Sequence, residues 1–203
     1  MQRFAVRSLF RNAAAILAAG FVVAGATGCR PPSFHGTAYE PPEAAPAIVL
    51  NTASGGRFSL AEQRGSVVLL YFGYTHCPDV CPTTLSDWKR VKSGLGRDAS
   101  RVRFVFISVD PDRDDPATLQ RYVSRFDPDF IGATGDSATL AGIERSFHVS
   151  SSREESASAD GYAVTHPSQT FVIDKNGDLR LLYSFGMQTS DIVSDIRQLL
   201  RGA

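Results

Sequence analysis

The feature that most constrains this chain is an apolar run that ends in a turn containing two cysteines. Residues 67–74 read VVLLYFGY, and residues 102–109 (VRFVFISV) repeat the pattern. Near-continuous runs of β-branched, aromatic and other apolar residues are typical of strands buried on both faces in the middle of a sheet. A segment with helical periodicity follows each run. The chain is therefore predicted to alternate strands and helices.

The spacing of apolar residues predicts four helices, a hairpin and two short strands. In the first helix, Leu85, Trp88, Val91 and Leu95 recur on one face. The KNGD turn that follows TFVID is typical of a hairpin. This order predicts a thioredoxin-like α/β fold, with a central mixed sheet and helices on both faces. The predicted helices span residues 82–95, 115–126, 137–147 and 190–200; the hairpin strands span 170–174 and 179–184, and the short strands 48–50 and 57–60.

The N-terminal residues have the order of an export signal. Three arginines precede the apolar run 13–26, and no acidic residue lies among them. Residues 26–29 (ATGC) resemble the lipobox of bacterial lipoproteins, in which the cysteine, here Cys29, carries the lipid. The alternative is an uncleaved transmembrane anchor, although the run is short for the ~20 residues that a spanning helix needs. Both interpretations tether the domain to a membrane of the bacterial cell envelope, outside the cytoplasm.

Composition and polarity divide the rest of the chain. Residues 1–28 are predicted to be the signal or anchor, 29–46 a proline-rich tethering spacer, and 47–203 one folded domain. Residues 150–160 (SSSREESASAD) are predicted to form a solvated loop or a flexible insertion. Lys and Arg total 21, as do Asp and Glu, so no basic surplus indicates nucleic-acid binding.

The chemistry is expected where the first core strand meets its helix. Cys77 and Cys81 lie there, and binding sites in α/β sheets gather at the carboxyl ends of strands. Their spacing places both sulfurs on one side of a helical turn, whose partial positive charge favours thiolates. The pair predicts metal binding or thiol chemistry. A structural disulfide is the alternative, but so short a loop would constrain the unfolded chain very little.

Two thiolates leave a soft metal under-coordinated, so a third ligand is expected from another segment. His166 is the candidate, because it precedes the strand TFVID in the region that faces the active helix of thioredoxin folds. A packed loop histidine is the alternative. His35, His76 and His148 are expected to be exposed or structural. Two thiolates and one imidazole suit Cu(I), or Cu(II) with an added oxygen ligand, whereas structural zinc normally takes four protein ligands. One copper ion per chain is therefore predicted.

A cluster of carboxylates follows the second core strand. Residues 110–115 read DPDRDD. They could cap the next helix and pair with Arg113, or they could form a charged rim that a partner protein recognises. We favour the structural role, and Asp110 is a candidate supporting residue for the site.

Residues 71–82 (YFGYTHCPDVCP), residues 108–114 (SVDPDRD) and the segment around His166 resemble the Sco/SenC family of copper chaperones. The resemblance implies that Cys77, Cys81 and His166 are copper ligands. It also implies that the protein takes copper from a periplasmic donor and delivers it to the binuclear site of cytochrome c oxidase subunit II, or keeps the thiols of that site reduced. Thr165 departs from the family pattern, in which many relatives have Asp before the ligand histidine.

The leading hypothesis is thus a metallochaperone that is not an enzyme. The alternative is a membrane-tethered thiol-disulfide oxidoreductase that uses Cys77 and Cys81, although reductases of this fold have Cys-x-x-Cys. A peroxidase is a third hypothesis. The Pro-x-x-x-Thr/Ser-x-x-Cys loop typical of peroxiredoxins is not found before either cysteine.

Overall fold

The structure is a computed structural model that describes residues 33–155 and 161–202. Within these ranges the chain forms ten strands and four helices. In chain order they are β1 (Thr37–Ala44), β2 (Val49–Thr52), β3 (Arg57–Ser59), β4 (Val67–Gly73), α1 (Val80–Leu95), β5 (Val102–Ser108), α2 (Pro116–Val123), β6 (Ile131–Thr134), α3 (Ser137–Ser146), β7 (Ser152–Glu155), β8 (Tyr162–Thr165), β9 (Thr170–Ile173), β10 (Asp178–Tyr183) and α4 (Thr189–Arg201).

One mixed sheet organises the domain. Its eight strands lie in the order β1-β10-β9-β4-β5-β6-β2-β3, and β7 and β8 form a separate two-stranded ribbon. β4 pairs in parallel with β5, which pairs in parallel with β6, whereas β9 is antiparallel to β4. The two strands predicted to be buried thus lie side by side at the centre, with their carboxyl ends at the same edge.

Side chains of β4 fill the core on both faces of the sheet. Val67, Leu69 and Tyr71 pack in one cluster with residues of α1 and α4, and the alternate residues of the strand pack in another with residues of α3. All seven residues of β4 are buried, because both faces of the sheet are covered at this strand. This burial explains why the strand has no polar side-chain position facing solvent. The predicted placement of helices on both faces of a mixed sheet is confirmed.

The prediction for one polar segment is wrong. β7 lies inside residues 150–160, which were predicted to form a solvated loop or insertion, and it pairs antiparallel with β8. The side chains of β7 are all exposed, so hydrophobic periodicity cannot reveal this strand. Residues 156–160 lie outside the described part of the chain. β6, also absent from the predictions, is only four residues long.

The sheet also begins earlier than predicted. β1 lies within the segment predicted to be a tethering spacer, yet it pairs antiparallel with β10 at the edge of the sheet. Prolines are tolerated on an edge strand, and the register of β1 shifts between Ala38 and Glu43, around Pro41 and Pro42. The predicted signal or anchor and Cys29 lie outside the described residues. In the described ranges, no helix has the length and apolar character needed to cross a membrane.

A buried carboxylate on α4 fixes the segment before β1. Asp195 is fully buried and accepts hydrogen bonds from the backbone N–H of Gly36 at 2.9 Å and of His35 at 3.0 Å. The Nδ1 atom of the His35 ring also lies 2.9 Å from this carboxylate, and this hydrogen bond raises the pKa of His35. His35 is therefore structural, as predicted.

We predict that Asp195→Ala lowers the free energy of unfolding by about 2 kcal/mol, because two backbone N–H groups lose their acceptor. Urea denaturation measures the loss. Asp191→Ala is the matched control on the same helix, since Asp191 is 38% exposed and lies 3.9 Å from the His35 ring. Equal losses in the two variants would contradict this prediction, because the buried Asp195 contacts would then stabilise the domain no more than the exposed Asp191 does.

Candidate metal centre

The two cysteines lie at the junction between β4 and α1. Cys77 belongs to the turn before the helix, and its backbone N–H donates to the carbonyl of Tyr74 at 3.3 Å. Cys81 is in the first turn of α1, and its backbone N–H points at Cys77 Sγ at 3.4 Å. Both thiols are free; Cys81 is fully buried and Cys77 is 8% exposed. The helix start therefore places the sulfurs together, with Cys77 nearer the surface.

The ribbon brings His166 to the same place. His166 follows β8 directly, and its Nε2 lies 3.5 Å from Cys81 Sγ. Its Nδ1 lies 3.0 Å from the carbonyl oxygen of Pro167. Because a carbonyl only accepts, Nδ1 carries the proton, and Nε2 presents its lone pair to the sulfurs.

The three side chains have the separation that one metal ion requires. A ligand atom from each of Cys77, Cys81 and His166 lies within 4.8 Å of the other two. Metal–sulfur bonds of about 2.3 Å and metal–imidazole bonds of about 2.0 Å place the donors of a shared ion roughly 3–4 Å apart. The group could hold one soft ion without a change of fold.

Two tyrosines of the β4 segment orient the imidazole. The rings of Tyr71 and Tyr74 meet the His166 ring edge to face, with centroids 5.9 and 5.5 Å away. The Tyr71 hydroxyl also points at Cys81 Sγ, at 3.9 Å. The sequence pattern predicts for both tyrosines only that they belong to the buried apolar run 67–74. Their aromatic type fits any buried strand, so the sequence carries no signal for this role.

Gly73 makes room for the buried sulfur. A Cβ atom at this position would lie 2.8 Å from Cys81 Sγ and 2.7 Å from the Phe106 ring, both closer than van der Waals contact. The first turn of α1 therefore approaches the end of β4 only because this residue has no side chain. A glycine inside an apolar strand is a sequence signal for such a close approach.

The two thiols differ in acidity. A hydrogen bond from the Cys81 thiol lowers the pKa of Cys77, and backbone N–H groups add to the effect against the opposing influence of burial. Burial raises the pKa of Cys81, and the adjacent Cys77 thiolate raises it further. In the metal-free protein, Cys77 is therefore the thiolate and Cys81 the thiol.

The other histidines lie outside this group, as predicted. The His76 side chain is 37% exposed and lies 3.9 Å from a carboxylate oxygen of Asp114. His148 is exposed and has φ of 55° just after α3, where its backbone N–H donates to the carbonyl of Arg145 at 3.1 Å. It therefore caps the helix through its main chain.

Two carboxylates of the acidic cluster have structural roles. Asp115 caps α2 by accepting a hydrogen bond from the Thr118 N–H at 2.6 Å. Asp114 is fully buried and accepts from the Thr75 N–H at 2.9 Å and from the Ser108 hydroxyl at 2.7 Å. Asp114 thus ties the turn that precedes the cysteines to the end of β5.

Asp110 does not belong to the group of possible ligands. It is fully buried, pairs with the Arg113 Nε and accepts a hydrogen bond from the Tyr162 hydroxyl at 2.8 Å. The predicted ion pair with Arg113 is confirmed. Thr165, which precedes His166, donates its hydroxyl to Glu154 across the ribbon at 2.6 Å. Its side chain therefore stabilises the ribbon itself.

Known proteins are similar to this chain in sequence and in architecture. The protein-family model described as SCO1/SenC matches residues 38–201. A SCO2-like protein of Rickettsia felis is 34% identical over 163 residues, which cover 75% of this chain and 78% of that protein. The match begins within β1, in agreement with the sheet.

Solved structures of Sco proteins have the same fold. Apo Sco1 from Thermus thermophilus is 36% identical, with a TM-score of 0.74 over 82% of this chain and 97% of that one. Bradyrhizobium japonicum ScoI with copper bound is 33% identical, with a TM-score of 0.71 over 77% of this chain and 99% of that one. The predicted thioredoxin-like fold class is confirmed. From the extent of the family match and the shared fold, this chain is a member of the SCO1/SenC family.

Proposed function

We propose that the protein binds one copper ion through Cys77 Sγ, Cys81 Sγ and His166 Nε2 and acts as a metallochaperone. The observation that carries the proposal is the imidazole, whose Nε2 lies 3.5 Å from Cys81 Sγ although the two residues are 85 apart in sequence. Because Pro167 holds the Nδ1 proton, the nitrogen that faces the sulfurs is the one free to bind a metal. The copper-bound structure of a relative of the same family supports copper as the ion.

The donor set matches the chemistry of copper transfer. Two thiolates and one imidazole suit three-coordinate Cu(I), which leaves room for an incoming ligand. Cys81 is fully buried, so an acceptor would approach from the side of Cys77, which is 8% exposed, and of the half-buried His166. A thiolate or thioether of the acceptor would then replace one ligand at a time.

Partners and location follow from the family and the N-terminal sequence. Sco proteins form a family of cytochrome c oxidase assembly proteins. The proposed acceptor is cytochrome c oxidase subunit II, and the proposed source is a periplasmic copper donor. Residues 1–28 would export the chain, and a lipid on Cys29 or an uncleaved anchor would hold the domain at the outer side of the cytoplasmic membrane. Asp110 is proposed to support the site.

A second candidate function is thiol-disulfide exchange, which the two adjacent free thiols favour. In this reaction the Cys77 thiolate attacks a disulfide of the partner and forms a mixed disulfide. Cys81 then displaces the partner, so two electrons pass to the partner's sulfurs and a Cys77–Cys81 disulfide remains. This chemistry needs no imidazole ligand, so His166 distinguishes the two functions.

We predict that His166→Ala weakens copper binding on the order of 100-fold, because a two-thiolate site lacks its third donor. Competition titration with a chelator of known affinity measures the change, and circular dichroism checks that the fold is retained. The matched control is His76→Ala, which removes an imidazole next to Cys77 and is expected to leave copper affinity unchanged.

The same variants separate the second function from the first. If His166→Ala binds copper like the parent, His166 is not the third ligand. Thiol-disulfide exchange is the function if three results are found together. The parent does not bind one equivalent of copper, His166→Ala retains full disulfide reductase activity, and Cys77→Ala has none.

We predict that iodoacetamide modifies Cys77 in the metal-free protein at nearly equal rates at pH 6 and pH 8. The lowered pKa of Cys77 keeps its sulfur a thiolate at both pH values. An ordinary cysteine, with a pKa near 8.5, reacts about 100-fold more slowly at pH 6 than at pH 8. Mass spectrometry of the modified peptides measures the rates.

Cys81→Ala supplies the control for this experiment. It removes the hydrogen bond with the largest effect on Cys77, so the reactivity profile of Cys77 is expected to move to higher pH. Faster modification of Cys81 than of Cys77 would contradict the assignment of the thiolate.

A further inference from the structure

The residue proposed as third ligand is carried by a part of the fold that the main sheet does not hold. Within the described residues, β7 and β8 pair with each other and lie outside the eight-stranded sheet. An isolated pair of strands is at best marginally stable in water. The position of His166 therefore depends on the contacts that fasten this ribbon to the domain.

Tyr162, the first residue of β8, makes several of these contacts. Its hydroxyl donates to Asp110 Oδ1 at 2.8 Å. Its ring faces the Arg113 guanidinium at 3.6 Å, and the Arg153 guanidinium lies 4.7 Å from the ring centroid. Arg113 Nη1 also donates to the Tyr162 carbonyl oxygen at 3.1 Å. Arg113 thus contacts both the side chain and the main chain of Tyr162.

Asp110 provides a rigid base for this contact. Its carboxylate is fully buried, and a buried charge is stable only when it is paired and hydrogen-bonded. The Arg113 Nε atom pairs with one carboxylate oxygen, and the Tyr162 hydroxyl donates to the other. The Asp110 N–H donates to the Ser108 hydroxyl at 3.0 Å, which fixes Asp110 to the end of β5. The ribbon is thereby attached to the central strands.

Arg113 also connects this attachment to the imidazole. Its guanidinium carbon lies 5.6 Å from the centroid of the Tyr74 ring. The Tyr74 ring in turn meets the His166 ring edge to face at 5.5 Å. One arginine thus contacts both the strand that precedes His166 and an aromatic ring that packs against the imidazole.

We propose that Tyr162 and Arg113 are positioning residues that lock the ribbon onto buried Asp110 and so hold the His166 imidazole over the two sulfurs. The consequence for copper rests on the proposed function, whereas the attachment of the ribbon is a property of the metal-free protein. A donor that is held in place before binding loses less conformational entropy when the ion binds. Loosening the ribbon should therefore weaken the His166 ligand without removing it.

Tyr162→Phe tests this proposal because it deletes one hydroxyl and retains the ring that contacts both guanidinium groups. In the metal-free protein, hydrogen–deuterium exchange at residues 162–166 is expected to accelerate by about tenfold or more, the factor expected for a lost hydrogen bond to a buried charge. The amides of β4 should keep the parent's rates. Tyr39→Phe, which removes a phenol hydroxyl from β1, is the matched control and should change neither segment.

The Cu(II) form provides a second readout. The charge-transfer and electron paramagnetic resonance spectra of Tyr162→Phe are expected to move toward those of His166→Ala. Copper should dissociate about tenfold faster than from the parent, since the same contact is lost. A variant that is merely less stable would keep the parent's spectrum.

Arg113→Lys is a second variant in case Tyr162→Phe fails to fold. It keeps the positive charge but loses the planar group that stacks on Tyr162 and donates to its carbonyl oxygen. The same local exchange and spectral changes are expected. Arg197→Lys on α4 is its matched control, because Arg197 also donates to a main-chain carbonyl, that of Gly94 at 2.9 Å.

The outcomes separate this proposal from the proposed function. Unchanged exchange at residues 162–166 in both variants, or unchanged spectra and dissociation rates when the parent binds copper, would overturn the positioning role. If the parent binds no copper, the proposed function fails. Exchange in the metal-free protein then still decides whether Tyr162 and Arg113 hold the ribbon.

Discussion

The close contact between the end of β4 and the first turn of α1 is the constraint on which the site depends. Cys81 Sγ occupies the space that a side chain at Gly73 would fill, so the helix starts directly against the buried strand. This contact buries Cys81 completely, whereas Cys77 in the same turn is 8% exposed. The difference in acidity between the two thiols follows from their difference in burial and from the hydrogen bond between them.

Three fully buried carboxylates fasten segments that lie outside the strands of the main sheet. Asp195 binds the chain before β1, Asp114 binds the turn that leads to Cys77, and Asp110 binds the ribbon that leads to His166. In each case the carboxylate accepts hydrogen bonds from outside its own element, and burial makes the loss of a partner costly. The turn before Cys77 and the ribbon before His166 are therefore each held in place by a buried carboxylate.

The arrangement of the two cysteines suits both metal binding and thiol-disulfide exchange. The imidazole contributes a ligand only to metal binding. Two adjacent thiols of unequal acidity are sufficient for disulfide exchange. An imidazole with its free nitrogen directed at the sulfurs adds a donor that suits a soft metal ion. Membership of the SCO1/SenC family agrees with the arrangement of two thiols and one imidazole donor. The ribbon that leads to His166 therefore distinguishes this site from a site that contains only two thiols.

The sequence by itself determined the central strands, the four helices and the proximity of Cys77 to Cys81, because these depend on local periodicity and on the geometry of one helical turn. It also singled out His166, because the donor set called for a third ligand and this histidine precedes the strand TFVID. Only the tertiary structure decided that β1 joins the sheet, that β7 and β8 pair, and that the Tyr162 hydroxyl donates to Asp110. These features rest on the main-chain pairing of mostly exposed strands and on the contacts of a buried charge, and neither leaves a hydrophobic pattern in the chain.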